Sequence, residues 1–345
     1  MKAVTVGSAT VDVIATVDSD DIERMTLHNS TASFLLLEPG RKVDATSVIT
    51  QTGGGAVNAA VSLKRLGFDV SALVKVGDDH NAEKIVDRLT EIGIATDLVR
   101  TCDSEATAVS VMIASHDRNA AIFTHRGANC SVTDADVSAQ SFVGADLVYV
   151  TNLSNQSADR FPDIVARAKA AGAFVAANPG IRQLTGKTAP FFDSLPHIDL
   201  FTCNFEEARA LVPSMMERTG WDRETEAAPA GAPVLEIEGF RLPLTAWFRR
   251  LHAFGPRFAA ITNGGKGAFV SDGQSVHLEP ARKANVVGTA GAGDAFASTL
   301  AASLVKGLPV SKAAAMAAAN AASVVAHVDT QSGLKTWDAL LADIA

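Results

Sequence analysis

Apolar positions along the chain switch repeatedly between two periods. VTVGSATVDVIA reads as a strand near the N-terminus, and AVNAAVSLKRLG then places Ala56, Ala59, Ala60, Leu63 and Leu66 on one helical face that stops at Gly67. VSALVKVG returns to a strand pattern and completes a βαβ unit. The alternation recurs with a helix from Asn81 to Ile92 closed by Gly93, a strand around ADLVYVT, and a helix from Ala158 to Ala171 closed by Gly172. Strands follow at AFVAAN and LFTCN, the second running into EEARALV. The pattern predicts an α/β fold with a mostly parallel sheet covered by helices.

Two regions break this rhythm. TAVSVMIAS, the polar turn HDRN and AAIFTHRG predict an antiparallel hairpin, and further strand-like residues (SFLLL, SVIT) surround EPGRK between Thr31 and Thr50. Together they predict a small sheet lying over the main one. Residues Pro213 to Pro243 are loop-rich, with RETEAAPAGAP at their centre, and predict a surface insertion before the helix LTAWFRRLHAF. No internal repeat is visible.

Composition narrows the function classes. A chain of 345 residues buries a core that needs no staples, and its three cysteines form no CxxC pair, so neither a disulfide framework nor a zinc knuckle is expected. The opening strand begins at once, without an export signal, and no apolar run reaches the roughly 18 residues of a membrane span. These features predict a cytoplasmic protein with no membrane partner. A formal charge of −8 and the absence of any Lys/Arg block argue against nucleic acid.

Most catalytic motifs fail. Gly180 and Gly186-Lys187-Thr188 are separated by five residues where a P-loop needs four, and HExxH and GxSxG do not occur. GTAGAGDAF survives. Gly291, Ala292 and Gly293 precede a long helical pattern, so their amides sit where orphan donors and the macrodipole favour an anion. Asp294 falls in the first turn, either as a helix cap or as an acid able to accept a proton from an alcohol during phosphoryl transfer. In TGGGAVNAA, Gly54 and Gly55 lead into a helix carrying Asn58, which suits a polyhydroxylated ligand or a simple strand-to-helix turn. Asp12 could accept from two neighbouring hydroxyls, or be a solvated strand-end acid.

Taken in order, these stretches resemble the ribokinase family of carbohydrate and nucleoside kinases, the phosphofructokinase-B group. The resemblance spans nearly the whole chain: VGSATVD, TGGGAVN, the NxxE element in TCNFEEA, the TxGxxG turn in ITNGGKG, GAGD, and an Asn in AAANAAS. It implies a three-layer sandwich as one domain over residues 1–345, with lid segments near 13–50 and 100–127 and an insertion near 213–243. It also implies an ATP- and Mg2+-dependent kinase that phosphorylates a hydroxymethyl group of a sugar or nucleoside.

The implied roles follow position by position. Asp294 would be the general base, with Gly291, Ala292 and Gly293 as the anion hole. Asp12, Gly54, Gly55, Asn58 and Arg126 would hold the substrate. Asn204, Glu207, Thr262, Gly264, Gly267 and Asn320 would surround the nucleotide, with Glu207 near Mg2+ through water or phosphate. The family's DTxGAGD reads GTAGAGD here, so Gly288 stands where many relatives offer a carboxylate to a monovalent cation, and K+ activation is not expected. Alternatives are an adenosine- or nucleoside-specific kinase, or a non-catalytic binder on the same fold. An exposed lid edge would allow a homodimer.

Overall fold

The computed structural model describes residues 1–18, 23–26, 33–36, 39–115, 120–220, 233–237 and 240–345. Its frame is a nine-stranded sheet in the order Val276–Glu279, Ala268–Ser271, Phe258–Thr262, Leu200–Asn204, Phe174–Ala177, Leu147–Val150, Lys2–Gly7, Asp69–Gly77, Arg100–Cys102. The seven strands from Phe258–Thr262 onward pair in parallel, and the first two add an antiparallel edge.

Alternation along each strand feeds two cores. Ala3 and Tyr149 face one side with the helices Gly55–Arg65, Ala292–Val305 and Val310–Val324. Val4, Val6, Val148 and Val150 face the other with Phe161–Ala170, Phe205–Thr219 and Leu244–Ala253. Strands buried on both faces need apolar residues at nearly every position, which is why LVYV carries no charge. This is the mostly parallel, helix-covered sheet that the periodicity predicts.

A separate four-stranded sheet has the order Ala45–Gly53, Thr10–Val17, Val109–Ser115, Ala120–His125. The chain enters it directly from the central strand Lys2–Gly7, with only Ser8 and Ala9 between. Asn129 pins this crossover: its Oδ1 accepts from Ala9 N at 3.1 Å and its Nδ2 donates to Ala9 O at 2.9 Å. The predicted hairpin is present as Val109–Ser115 and Ala120–His125, while its HDRN turn lies outside the described residues. Most of RETEAAPAGAP lies outside them too.

Three boundaries differ from expectation, the first being VTVGSATVDVIA, which is not one strand but Lys2–Gly7 in the large sheet and Thr10–Val17 in the small one. The helix predicted from Ala158 begins at Phe161, because Asn155–Arg160 forms a 3-10 turn and Pro162 suits a first-turn position. Pro213 does not open a loop: Phe205–Thr219 runs through it, held by the burial of Leu211, Val212 and Met215. A short hairpin, Val234–Ile237 with Phe240–Pro243, then precedes the helix Leu244–Ala253. Among the described residues no helix is long and apolar enough to cross a membrane.

Candidate functional site

The helix Ala292–Val305 is buried along almost its whole length, as its alanine and serine content permits, between Gly55–Arg65 and Val310–Val324. Small side chains let the first two helices approach closely enough for side chains to bond across them. Asn58 Nδ2 donates to Asp294 Oδ2 at 2.9 Å, and one turn further along both helices Ser298 Oγ donates to Ser62 Oγ at 2.7 Å. Asn58 is fixed from behind by Thr330 Oγ1, which donates to its Oδ1 at 2.8 Å, and by Gln331 Nε2 at 3.3 Å. Asn58, expected among the substrate contacts, thus touches the candidate base.

Burial pushes the Asp294 carboxyl up to about 6, against the Asn58 hydrogen bond, which favours the charged form. At neutral pH it is an ionised carboxylate poised to accept a proton. Immediately before it, Gly291 caps the helix at φ 77, and a Cβ there would lie 2.7 Å from Thr330 Cβ, so only glycine fits. Gly293 is the opposite case: a Cβ there would meet nothing within 4 Å. The amides of Gly293 and Asp294 find no acceptor among the described residues. They are orphan donors at a helix N-terminus, with open space beside Gly293, whereas the Ala292 amide, expected in the anion hole, donates to Thr289 O at 3.5 Å.

That space continues into a cavity of about 390 Å3, lined by Asn204, Thr262, Gly264, Gly267, Gly293 and Phe296 among others. Alanines and valines form much of the rest of its wall, a surface suited to a flat base. Asn204 and Glu207 form a capping box, Glu207 N donating to Asn204 Oδ1 at 2.9 Å and Asn204 N to Glu207 Oε2 at 2.8 Å. Burial holds the Glu207 carboxyl above its ordinary value. Asn320 is not brought to the cavity. It is fully buried, its Nδ2 donating to Thr299 Oγ1 at 2.8 Å and its Oδ1 accepting from Lys335 N at 2.9 Å. Its neighbours Ala318, Ala321 and Ala322 line the wall instead, because the helix turns their faces outward.

On the other side of Asp294, Gly54 turns at φ 93, and a Cβ there would lie 2.6 Å from Ser8 O. Gly55 N donates to Ser8 Oγ at 3.0 Å. Asp12, only 7% exposed, accepts through Oδ1 from Thr10 Oγ1 at 3.0 Å and from Ser110 Oγ, leaving Oδ2 beside Gly53. Arg126 Nη1 donates to Ser154 Oγ at 3.1 Å. Ser110, Thr330 and Gln331 were not legible as site residues, because their role arises only from contacts 98 to 273 residues apart in sequence.

For Mg2+, the chemistry of the donor set fits only in part. Among the described residues no cluster of three acidic, His or Cys side chains could hold a metal. Glu207 Oε1 is a hard oxygen not committed to the capping box, so the ion's remaining ligands would come from phosphate and water.

Known proteins resemble this chain in sequence and in fold. The profile of the pfkB family carbohydrate kinases matches residues 2–236 and 243–337. An ATP-dependent ribose-1-phosphate kinase of Halopiger xanaduensis is 28% identical over 249 residues, 72% of this chain and 72% of its own. A ribokinase of Bacillus subtilis is 26% identical over 302 residues, 86% and 89% of the two chains. The fold is shared with an Arabidopsis thaliana ribokinase complexed with ribose and ATP (TM-score 0.73, 20% identity, 99% and 98% covered). It is shared equally with a Burkholderia thailandensis nucleoside kinase in complex with inosine (TM-score 0.71, 20% identity, 99% and 96% covered).

Proposed function

Because this chain belongs to the pfkB family of carbohydrate kinases and is a sugar or nucleoside phosphotransferase, we propose that it moves the γ-phosphoryl group of ATP to a hydroxymethyl oxygen, with Asp294 as general base. The observation that carries this reading is the orphan amide pair at Gly293 and Asp294, set between an apolar cavity and a carboxylate with a pKa of about 6. The cavity takes the nucleoside of ATP, with Thr262, Gly264 and Gly267 around it. Its phosphates run toward Gly291, Ala292 and Gly293.

On the acceptor side, Asp12 and the backbone at Gly54 and Gly55 grip the hydroxyls. Asp294 removes the proton of the attacking hydroxyl while the helix N-terminus stabilises charge on the transferring group. Asn58 holds the base at one angle, and Thr330 and Gln331 hold Asn58. Mg2+, when bound, neutralises phosphate charge, and Asn204 and Glu207 are the residues nearest that task. The four-stranded sheet, within the expected lid ranges 13–50 and 100–127 where these are described, acts as a lid that excludes water, so that ATP is not spent on hydrolysis. An edge of the same sheet would pair two subunits.

Relatives are named for ribose-1-phosphate, ribose, deoxyribose and fructosamine, all polyhydroxylated acceptors. A screen of such sugars and of nucleosides by ADP release tests the proposal. Turnover above the ATP hydrolysis background with at least one acceptor is expected, and ATP binding with no transfer to any acceptor would favour a binding protein instead.

A further inference from the structure

Two arginines converge on one loop, at Ser154 and Asn155. Arg126 follows the hairpin strand Ala120–His125 and reaches Ser154, which is 4% exposed. Arg182, from the segment after Phe174–Ala177, reaches the next residue, donating from Nη1 to Asn155 Oδ1 at 3.3 Å. Asn155 has φ 47, the one non-glycine with positive φ among the described residues. Such strain persists only where surrounding structure enforces it, and it gathers at functional sites. The loop also carries Asn152, whose Oδ1 would stand 3.1 Å from a Cβ at Gly55.

Neither guanidinium has a carboxylate partner among the described residues, although neighbouring cations do: Lys187 pairs with Asp159 at 2.9 Å and Arg160 with Asp134 at 2.7 Å. Each spends one of its five donors on a neutral oxygen. Forked donors left open at the loop whose Asn152 lies against Gly55 match a planar or tetrahedral anion. They would also offset the repulsion that Asp12 and Asp294 exert on a charged acceptor.

We propose that the acceptor is an anionic sugar, and that Arg126 and Arg182 hold its phosphate or carboxylate at the end remote from the reacting hydroxymethyl group. The inference rests on the kinase reading for its chemistry but not for its binding. Ribose 1-phosphate and a 2-keto sugar acid supply the two anions, and ribose and inosine supply neutral acceptors. The anionic sugar's kcat/KM should exceed that of ribose by about 100-fold. Arg126→Ala and Arg182→Ala should each cut that ratio on the order of tenfold, the loss of a charged hydrogen bond, with partial recovery in the Lys variants.

Calorimetry in the Asp294→Asn background reads the same site without turnover. There the anionic sugar should bind more tightly than ribose, the tighter of the two anions identifies which one the site takes, and adding either Ala substitution should erase the difference. If that difference persists while no acceptor is ever phosphorylated, the kinase reading falls and the anion site stands. Equal binding of anionic and neutral sugars, or indifference to both arginine substitutions, overturns the anion site whatever the turnover.

Discussion

Gly291 and Gly293 stand two residues apart under different constraints. At Gly291 the backbone needs positive φ and Thr330 fills the space a side chain would occupy, so Gly291→Ala should cost about 1–3 kcal/mol of stability. At Gly293 neither constraint applies, and alanine favours a helix over glycine by roughly 0.5–1 kcal/mol. Gly293→Ala should therefore melt no lower than wild type yet lose ATP affinity, because its methyl occupies the phosphate space. Calorimetric titration with ATP checks this, and wild-type affinity would mean the amides face something else.

The pH response belongs to the same scale. Asp294 must be ionised to act, so kcat should fall as pH drops through about 6 and level off above it. An acid limb near 4 would show the carboxyl to be unperturbed. The sign for stability is opposite. A carboxyl raised from 3.8 to about 6 favours the protonated folded state, so folding stability contributed by Asp294 is lost as pH rises through that interval.

The helix start at GAGD, with Asp294 in its first turn, was legible because a helix start is a local property. The engagement of Asn58 with Asp294 was not, since it depends on two helices 236 residues apart lying side by side.

At the level of elements, strands and helices with clean periodicity were readable to within a few residues, and Gly93 closes its helix as expected in a left-handed turn. Where burial outweighed a breaker, as at Pro213, local reasoning erred. The loop between Val310–Val324 and Trp337–Ile344 carries Thr330 and Gln331 and has no periodicity to read. The small sheet was legible as a hairpin and the strand around SVIT, but SFLLL, expected in it, pairs with Glu23–Thr26 in a separate two-stranded sheet, and the attachment through Asn129 was not legible either. Asn129→Ala removes both bonds to Ala9 and should cost on the order of 1–3 kcal/mol. It should also raise the acceptor KM more than the ATP KM, since Ala9 leads into the strand of Asp12. Equal changes in both constants would place the crossover outside the acceptor site's control.

For the molecule as a whole, the proposed acceptor and nucleotide sides meet at one helix N-terminus, and the chain's −8 charge leaves anion binding to local devices. Gly288 lies close to carbonyl oxygens, a Cβ there standing 3.2 Å from His327 O and 3.5 Å from Val328 O, but it brings no carboxylate. Turnover should change little when K+ is replaced by a bulky organic cation, and a large rise with K+ would contradict this.

Asp294→Asn is the most direct test of the account. The variant should bind ATP and acceptor with near-wild-type affinity, melt a few degrees higher at pH 8 because the buried charge is gone, and transfer no phosphoryl group above background. Near-normal turnover in that variant would show that Asp294 is not the base.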